Sequence, residues 1–79
     1  MERAEVFEQL NEVFQDVFDD ESIIVNDETT SADIDGWDSL MHITLISQVE
    51  MAFDISFDMK DVVGMKNVGE MVDIILENL

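Results

Sequence analysis

The first apolar residues of the chain recur at intervals of three or four, which places them on one stripe of a helical surface. The stripe consists of Val6, Leu10, Val13 and Val17, flanked by Phe7, Phe14 and Phe18. Acidic residues from Glu2 to Asp16 fall on the opposite side. The pattern predicts an amphipathic helix over residues 3–18.

The helical pattern stops at residue 19, and acids, Thr, Ser and one glycine dominate the chain as far as residue 38. Four apolar residues in this segment could attach it to a core, namely Ile23, Ile24, Val25 and Ile34. A connection of about twenty residues is longer than most in compact domains. The segment is therefore predicted to be a long loop that is either functional or mobile.

Two longer helices and a short one are predicted after the loop. The first runs from Ser39 to Phe53, and one of its faces carries His42, Ile46, Val49 and Phe53. A short helical turn over Met59–Val63 is closed by Gly64. The last helix begins after Asn67 with Glu70 placed as in a capping box. Its predicted core residues are Val68, Met71, Val72, Ile75 and Leu79.

These elements predict an all-α fold. No segment alternates polar and apolar residues over enough positions to predict a strand, and there is no internal repeat. We expect a single domain, residues 1–79, built as a small four-helix bundle with three main helices, one short helix and the long loop between the first two. Because the chain has no cysteine, neither a disulfide nor a thiolate metal site can stabilise it.

The charge of the chain is strongly negative. It has 20 acidic residues against Arg3, Lys60 and Lys66, for a formal net charge of −17. Such a surface repels nucleic acid and anionic lipid and attracts basic protein surfaces. No apolar run is long enough to span a bilayer, and the acidic N-terminus is unlike a secretory signal. We therefore predict a cytoplasmic monomer that binds neither nucleic acid nor membrane.

The stretch IDGWDSLMHI, residues 34–43, places Ser39 between an acidic turn and a helix. Either Ser39 or Asp38 could cap that helix. As a nucleophile, Ser39 would need a base and an oxyanion hole. His42 is the only candidate base, but helical phase turns it toward the core, and no G-x-S-x-G elbow surrounds the serine. We therefore interpret His42 as structural and expect no enzymatic activity.

A calcium-binding loop is another interpretation of this stretch. In an EF-hand frame that starts at Ser31, three positions carry suitable residues, namely Asp33, Asp35 and Gly36. The same frame puts Ser31 where aspartate is required and His42 where the bidentate glutamate is required. No specific metal site is predicted.

Attachment of a prosthetic group to Ser39 fits the stretch best. A phosphodiester on a serine at a helix N-terminus lies where backbone N–H groups and the helix dipole favour an anion. Asp33, Asp35 and Asp38 would repel that phosphate. We therefore interpret these acids as groups that help to hold a metal ion or a basic enzyme during attachment.

The chain resembles an acyl carrier protein of the stand-alone type over nearly its whole length. The resemblance rests on the helix order, the acidity, the apolar spacing of the last helix and the triplet Asp38-Ser39-Leu40. It implies that Ser39 bears 4'-phosphopantetheine, transferred from coenzyme A by a magnesium-dependent phosphopantetheinyl transferase that recognises Asp38 and Leu40. It also implies that the arm's thiol holds an acyl or aminoacyl group as a thioester for acyl-loading and acyl-transferring enzymes.

A partner-binding surface is predicted on the outward side of the second helix. It comprises Leu40, Met41, Thr44, Ser47, Gln48, Glu50 and Met51. Carriers of fatty acid synthesis typically line this helix with acids, whereas here thirteen of the 20 acids precede Ser39 and only Glu50 follows within the helix. We expect basic partner patches to dock at the loop and apolar surfaces along the helix. The departure favours a specialised pathway, for a polyketide, a nonribosomal peptide or the acyl chain of a surface polymer, over general fatty acid synthesis.

Two alternatives stay open at this point. Ile43, Ile46 and Phe57 could line a shelter for the acyl chain or could be ordinary core. The chain could also be an unmodified acidic interaction module in which Ser39 is only a helix cap.

Overall fold

The computed structural model describes all 79 residues and contains four α-helices and no strand, which confirms the all-α prediction. The helices are α1 (Arg3–Val17), α2 (Ser39–Phe53), α3 (Met59–Gly64) and α4 (Val68–Asn78). The α1–α2 loop contains one 3₁₀ turn at Ser31–Asp33. α1 packs against both α2 and α4, so these three helices surround the core. None of the helices combines the length and the apolar composition that a bilayer crossing requires.

The core stripe of α1 differs slightly from the predicted one. Its fully buried residues are Val6, Leu10 and Phe14, which are spaced one helical turn apart. Val13 and Val17, which were predicted to lie on the stripe, are half-buried and pack against the edge of the core. The centre of the buried face therefore passes through Phe14.

The core face of α2 is confirmed in part. Ile46, Val49 and Phe53 are buried as predicted. Leu45 is also fully buried, whereas Ile43 is 64% exposed, so of the two alternatives for Ile43 ordinary core is wrong. The cause is that α2 is apolar on several sides, which leaves its periodicity unable to distinguish the inner from the outer positions.

The predicted N-terminal cap of α4 is confirmed. Asn67 Oδ1 accepts a hydrogen bond from Glu70 N at 2.9 Å. The arrangement departs from a capping box in one respect. The Glu70 carboxylate accepts a hydrogen bond from Lys66 N at 3.1 Å, one residue before the cap, and not from the cap residue itself. The buried residues include Val68, Met71, Val72 and Ile75. Leu79 is 53% exposed because it follows the end of α4, and the prediction that it is buried is wrong.

The long loop is attached to α1 by polar side chains. Gln15 Nε2 donates to Ile23 O at 2.9 Å, and Asn11 Oδ1 accepts from Val25 N at 2.7 Å. Ile23 and Val25 are buried, whereas Ile24 between them is 71% exposed, which is the alternation of an extended segment. Two of the three consecutive apolar residues thus anchor the loop.

The loop also supplies hydrogen-bond acceptors for the first turn of α4. Val68 N donates to Thr29 O at 2.8 Å, and Gly69 N donates to Asp27 O at 3.0 Å. Two N–H groups that a helix start leaves without intrahelical partners are thereby satisfied. The loop and α4 are consequently joined backbone to backbone.

Arg3 connects three parts of the chain at this corner. Its guanidinium donates hydrogen bonds to the carboxylates of Asp27 in the loop and Asp73 in α4, and to the Gly69 carbonyl at 3.3 Å. These carboxylate hydrogen bonds, the one to Asp27 foremost, hold the pKa of Arg3 above its usual value. The charge of Arg3 is therefore committed to a structural junction.

Candidate functional site

The turn before α2 brings Ser39 to the surface. Gly36 has a φ of +87°, a conformation that glycine adopts without strain, and Trp37 N donates to Ile34 O at 3.3 Å across the turn. The chain then enters α2 through Asp38, whose backbone is extended. Ser39 is the first helical residue and is exposed.

Asp38, and not Ser39, caps α2. The Asp38 carboxylate accepts a hydrogen bond from Met41 N at 2.8 Å, which satisfies one of the free N–H groups of the first turn. The exposed hydroxyl of Ser39 forms no hydrogen bond within the chain. The sequence left open which residue is the cap, and the structure leaves the hydroxyl of Ser39 available for reaction.

His42 is held at both ring nitrogens. Trp37 Nε1 donates to His42 Nδ1 at 3.0 Å, and because an indole N–H can only donate, Nδ1 carries no proton. The ring proton is then on Nε2, which donates to Val62 O in α3 at 3.1 Å. His42 has no free acceptor nitrogen with which to deprotonate Ser39, in agreement with the structural role predicted for it.

Trp37 joins this site to the core. Its ring meets Phe14 edge to face with 5.3 Å between centroids, lies 6.1 Å from Phe18 and stacks on His42 at 5.9 Å. The cluster fixes the end of the loop two residues before Ser39. Sequence reasoning missed it, because Trp37 lies in an irregular segment where no periodicity pairs it with another residue.

The residues predicted to form the partner surface lie in two environments. Five of them are exposed, namely Leu40, Thr44, Ser47, Gln48 and Met51. Met41 is half-buried. Glu50 is also half-buried, and its Oε2 accepts a hydrogen bond from Phe57 N at 2.8 Å, so its carboxylate holds the α2–α3 connection. The exposed side of α2 therefore presents no free carboxylate.

A groove with a volume of about 580 Å³ begins beside Ser39 and continues between α2 and α3. Its apolar lining includes Ile43, Met59, Val62 and Val63. Lys66 and Asn67, just before α4, contribute polar groups. A groove of this size accommodates a small organic group.

Two acids of the long loop, Asp20 and Asp33, bond to nearby atoms of the loop itself. Asp33 Oδ2 accepts from Thr30 N at 2.9 Å. Asp20 Oδ1 accepts from the hydroxyl and the backbone N–H of Ser22 at 2.6 and 2.9 Å, and these two hydrogen bonds, the first above all, lower the pKa of Asp20. No group of three or more His, Asp or Glu side chains is placed to hold a metal ion.

Residues 8–75 match the protein family described as "Phosphopantetheine attachment site". The chain is also similar to the solution NMR structure of holo acyl carrier protein from Geobacter metallireducens. The sequences are 38% identical, the TM-score is 0.86, and the match covers 92% of this chain and 84% of that one. No curated protein shows a significant match to the sequence.

The chain belongs to the family of proteins with a phosphopantetheine attachment site, and within that family to the acyl carrier proteins. It is accordingly a carrier and not an enzyme, and its covalent cofactor is 4'-phosphopantetheine. The groove suits this group for two reasons. The exposed hydroxyl at its start can form a phosphodiester, and the mixed polar and apolar lining of the groove matches an arm that has both amide and methyl groups.

Proposed function

We propose that Ser39 bears 4'-phosphopantetheine, whose thiol carries an acyl or aminoacyl group as a thioester to partner enzymes. One observation supports the choice of residue above the others. Asp38 performs the capping, while the hydroxyl of Ser39 is exposed and unbonded. A phosphodiester there also lies beside free N–H groups at the positive end of the α2 dipole.

The attachment step is a substitution at phosphorus in the active site of a phosphopantetheinyl transferase. Ser39 Oγ attacks the β-phosphorus of coenzyme A, and the new O–P bond forms as the P–O bond to adenosine 3',5'-bisphosphate breaks. The hydroxyl proton passes to a base of the transferase. Asp38 and Leu40 flank the serine and are both exposed, so the transferase can contact them. The arm supplies the thiol that this cysteine-free chain lacks.

Intact-mass measurement tests the assignment. The wild-type protein is incubated with coenzyme A and a broad-specificity transferase, and we expect a gain of one phosphopantetheine. Ser39→Ala should gain nothing. Ser56→Ala is the matched control, because Ser56 is also exposed but lies outside the helices, and it should be modified like the wild type. Absence of a mass gain, under conditions that modify a known carrier, would favour the unmodified interaction module with a purely structural Ser39.

We also propose that the carrier serves a specialised pathway, for a polyketide, a nonribosomal peptide or the acyl chain of a surface polymer. The support is the exposed side of α2, where Glu50 is bonded to Phe57 N and apolar side chains such as Leu40 and Met51 are about three-quarters exposed. Partner enzymes then meet an acidic loop, which attracts basic residues, and an apolar helix face. The face comprises Leu40, Met41, Thr44, Ser47, Gln48 and Met51, with Glu50 at its edge.

The cargo of the native protein tests the pathway. The holo protein is purified from its host, and the acyl group on the arm is identified by mass spectrometry. A single specialised acyl or aminoacyl group is expected. A ladder of saturated acyl chains that grow by two carbons would instead assign the carrier to general fatty acid synthesis.

A further inference from the structure

The three cationic residues of the chain lie in different surroundings. Arg3 forms the only ion pairs of the chain, with two carboxylates at the junction of the loop and α4. Lys60 lines a separate cleft between α3 and α4, together with four acidic residues, Asp61, Glu70, Asp73 and Glu77. Lys66 is exposed, forms no ion pair and lines the groove that begins at Ser39.

The charges around this groove are nearly balanced before modification. Asp38 and Lys66 are its only lining residues with a full charge, because the hydrogen bonds of His42 require a neutral ring. A phosphodiester on Ser39 would add a negative charge beside Asp38, in a chain whose net charge is already −17. Lys66 is the one positive side chain of the lining that can offset this charge.

We propose that Lys66 is a positioning residue for the prosthetic arm. Its ammonium group pairs with the phosphodiester of the arm and thereby directs the arm along the groove between α2 and α3. This inference rests on the proposed attachment at Ser39. Two apolar side chains on the α3 side of the groove, Met59 and Val63, are 76% and 78% exposed. An arm directed along the groove covers part of this apolar surface with its methyl groups, which favours the same placement.

The strength of the pairing is moderate. Lysine presents a compact, hydrated charge, and an exposed ion pair of this kind changes an equilibrium constant by about two- to fivefold. Salt weakens such a pair further. Lys66 therefore biases the direction of the arm while leaving the arm free to swing into a partner enzyme.

Matched glutamine variants test the role of Lys66. Lys66→Gln and Lys60→Gln remove the same charge from two exposed lysines, only one of which lines the groove. Each variant and the wild type are converted to the holo form, conversion is verified by intact mass, and apo and holo spectra are compared by ¹H–¹⁵N NMR. Urea unfolding checks that both variants are as stable as the wild type.

The expected result has three parts. In the wild type and in Lys60→Gln, conversion shifts the Lys66 side-chain resonance and the backbone amides of α3 that border the groove. In Lys66→Gln the α3 shifts decrease by about two- to fivefold, and Lys66→Arg restores them. High salt reduces the wild-type shifts in the same way.

Two outcomes would overturn the inference, and they differ in what they say about Ser39. If the wild type gains no mass, the proposed attachment at Ser39 is wrong, and so is the role of Lys66. A full mass gain with α3 shifts that are equal in Lys66→Gln and the wild type removes only the role of Lys66 and leaves the carrier function intact.

Discussion

At the scale of single residues, two neighbours at the start of α2 perform separate tasks. The Asp38 carboxylate binds Met41 N and begins the helix, whereas the Ser39 hydroxyl contributes nothing to the fold. A chemical group can thus be added to Ser39 without removing a structural hydrogen bond. Stability and attachment are therefore separable by mutation.

Replacing these two residues should affect the stability of the fold differently. Asp38→Ala loses the cap and should lower the free energy of unfolding by about 1 kcal/mol, and Ser39→Ala should leave it unchanged within about 0.5 kcal/mol. Urea unfolding followed by circular dichroism measures both values. Equal destabilisation by the two substitutions would show that Ser39 also supports the helix.

The pKa of Asp20 provides a second test at this scale. Hydrogen bonds from Ser22 lower this pKa, so Ser22→Ala, which removes the hydroxyl donor, should raise it toward the usual value. Because the pKa is lower in the folded state, the hydrogen bonds contribute stability above the unfolded-state pKa, and this contribution is lost as the pH falls through the folded-state pKa. NMR titration of the Asp20 carboxyl carbon measures the shift, and an unchanged pKa in the variant would contradict it.

Single residues also mark the limit of prediction from the sequence. The cap region, the position of Ser39 at the start of α2 and the structural role of His42 could be anticipated, because capping and helical phase are local properties. The hydrogen bonds that connect Trp37, His42 and Val62 could not, since they join a loop, α2 and α3, and only the folded chain brings these together.

At the scale of elements, α4 is joined closely to the long loop. Gly69 N donates to Asp27 O, and this approach leaves almost no room for a side chain at position 69. The helix bounds themselves were predictable to within one residue, because caps act locally, although Gly64 is the last residue of α3 and not the stop after it. The inner face of α2 was not, since apolar residues such as Ile43 occur on its outer side as well.

The two helical glycines outside the loop give a matched pair of substitutions. An added Cβ at Gly69 would lie 2.7 Å from Asp27 O, so Gly69→Ala forces the backbone apart, and we expect a loss of about 1–3 kcal/mol. A Cβ at Gly64 meets no atom within 4 Å, so Gly64→Ala should be neutral or stabilising by up to about 1 kcal/mol. Denaturant unfolding compares them, and equal stability of the two variants would contradict the close contact.

At the scale of the whole molecule, charge is unevenly distributed and largely unpaired. Of 20 acidic side chains, only those of Asp27 and Asp73 form ion pairs, both with Arg3. The remaining carboxylates repel one another in the folded state more than in the expanded chain. This repulsion lowers the stability of the fold at low ionic strength.

Added salt should therefore raise the melting temperature. The Debye length falls from about 30 Å at 0.01 M to about 10 Å at 0.1 M, which screens repulsion across a molecule with extents of 28 × 25 × 22 Å. Thermal unfolding in increasing sodium chloride measures the effect. A melting temperature that stays constant over this range would show that self-repulsion does not limit stability.

Trp37 is the only tryptophan of the chain, and it lines the groove beside Ser39 with its indole bonded to His42. The sole strong fluorophore of the molecule thus lies next to the residue that we propose as the attachment site. Because indole emission responds to local polarity and hydrogen bonding, the optical signal of the unlabelled protein can follow loading and unloading in real time, with no dye and no engineered probe.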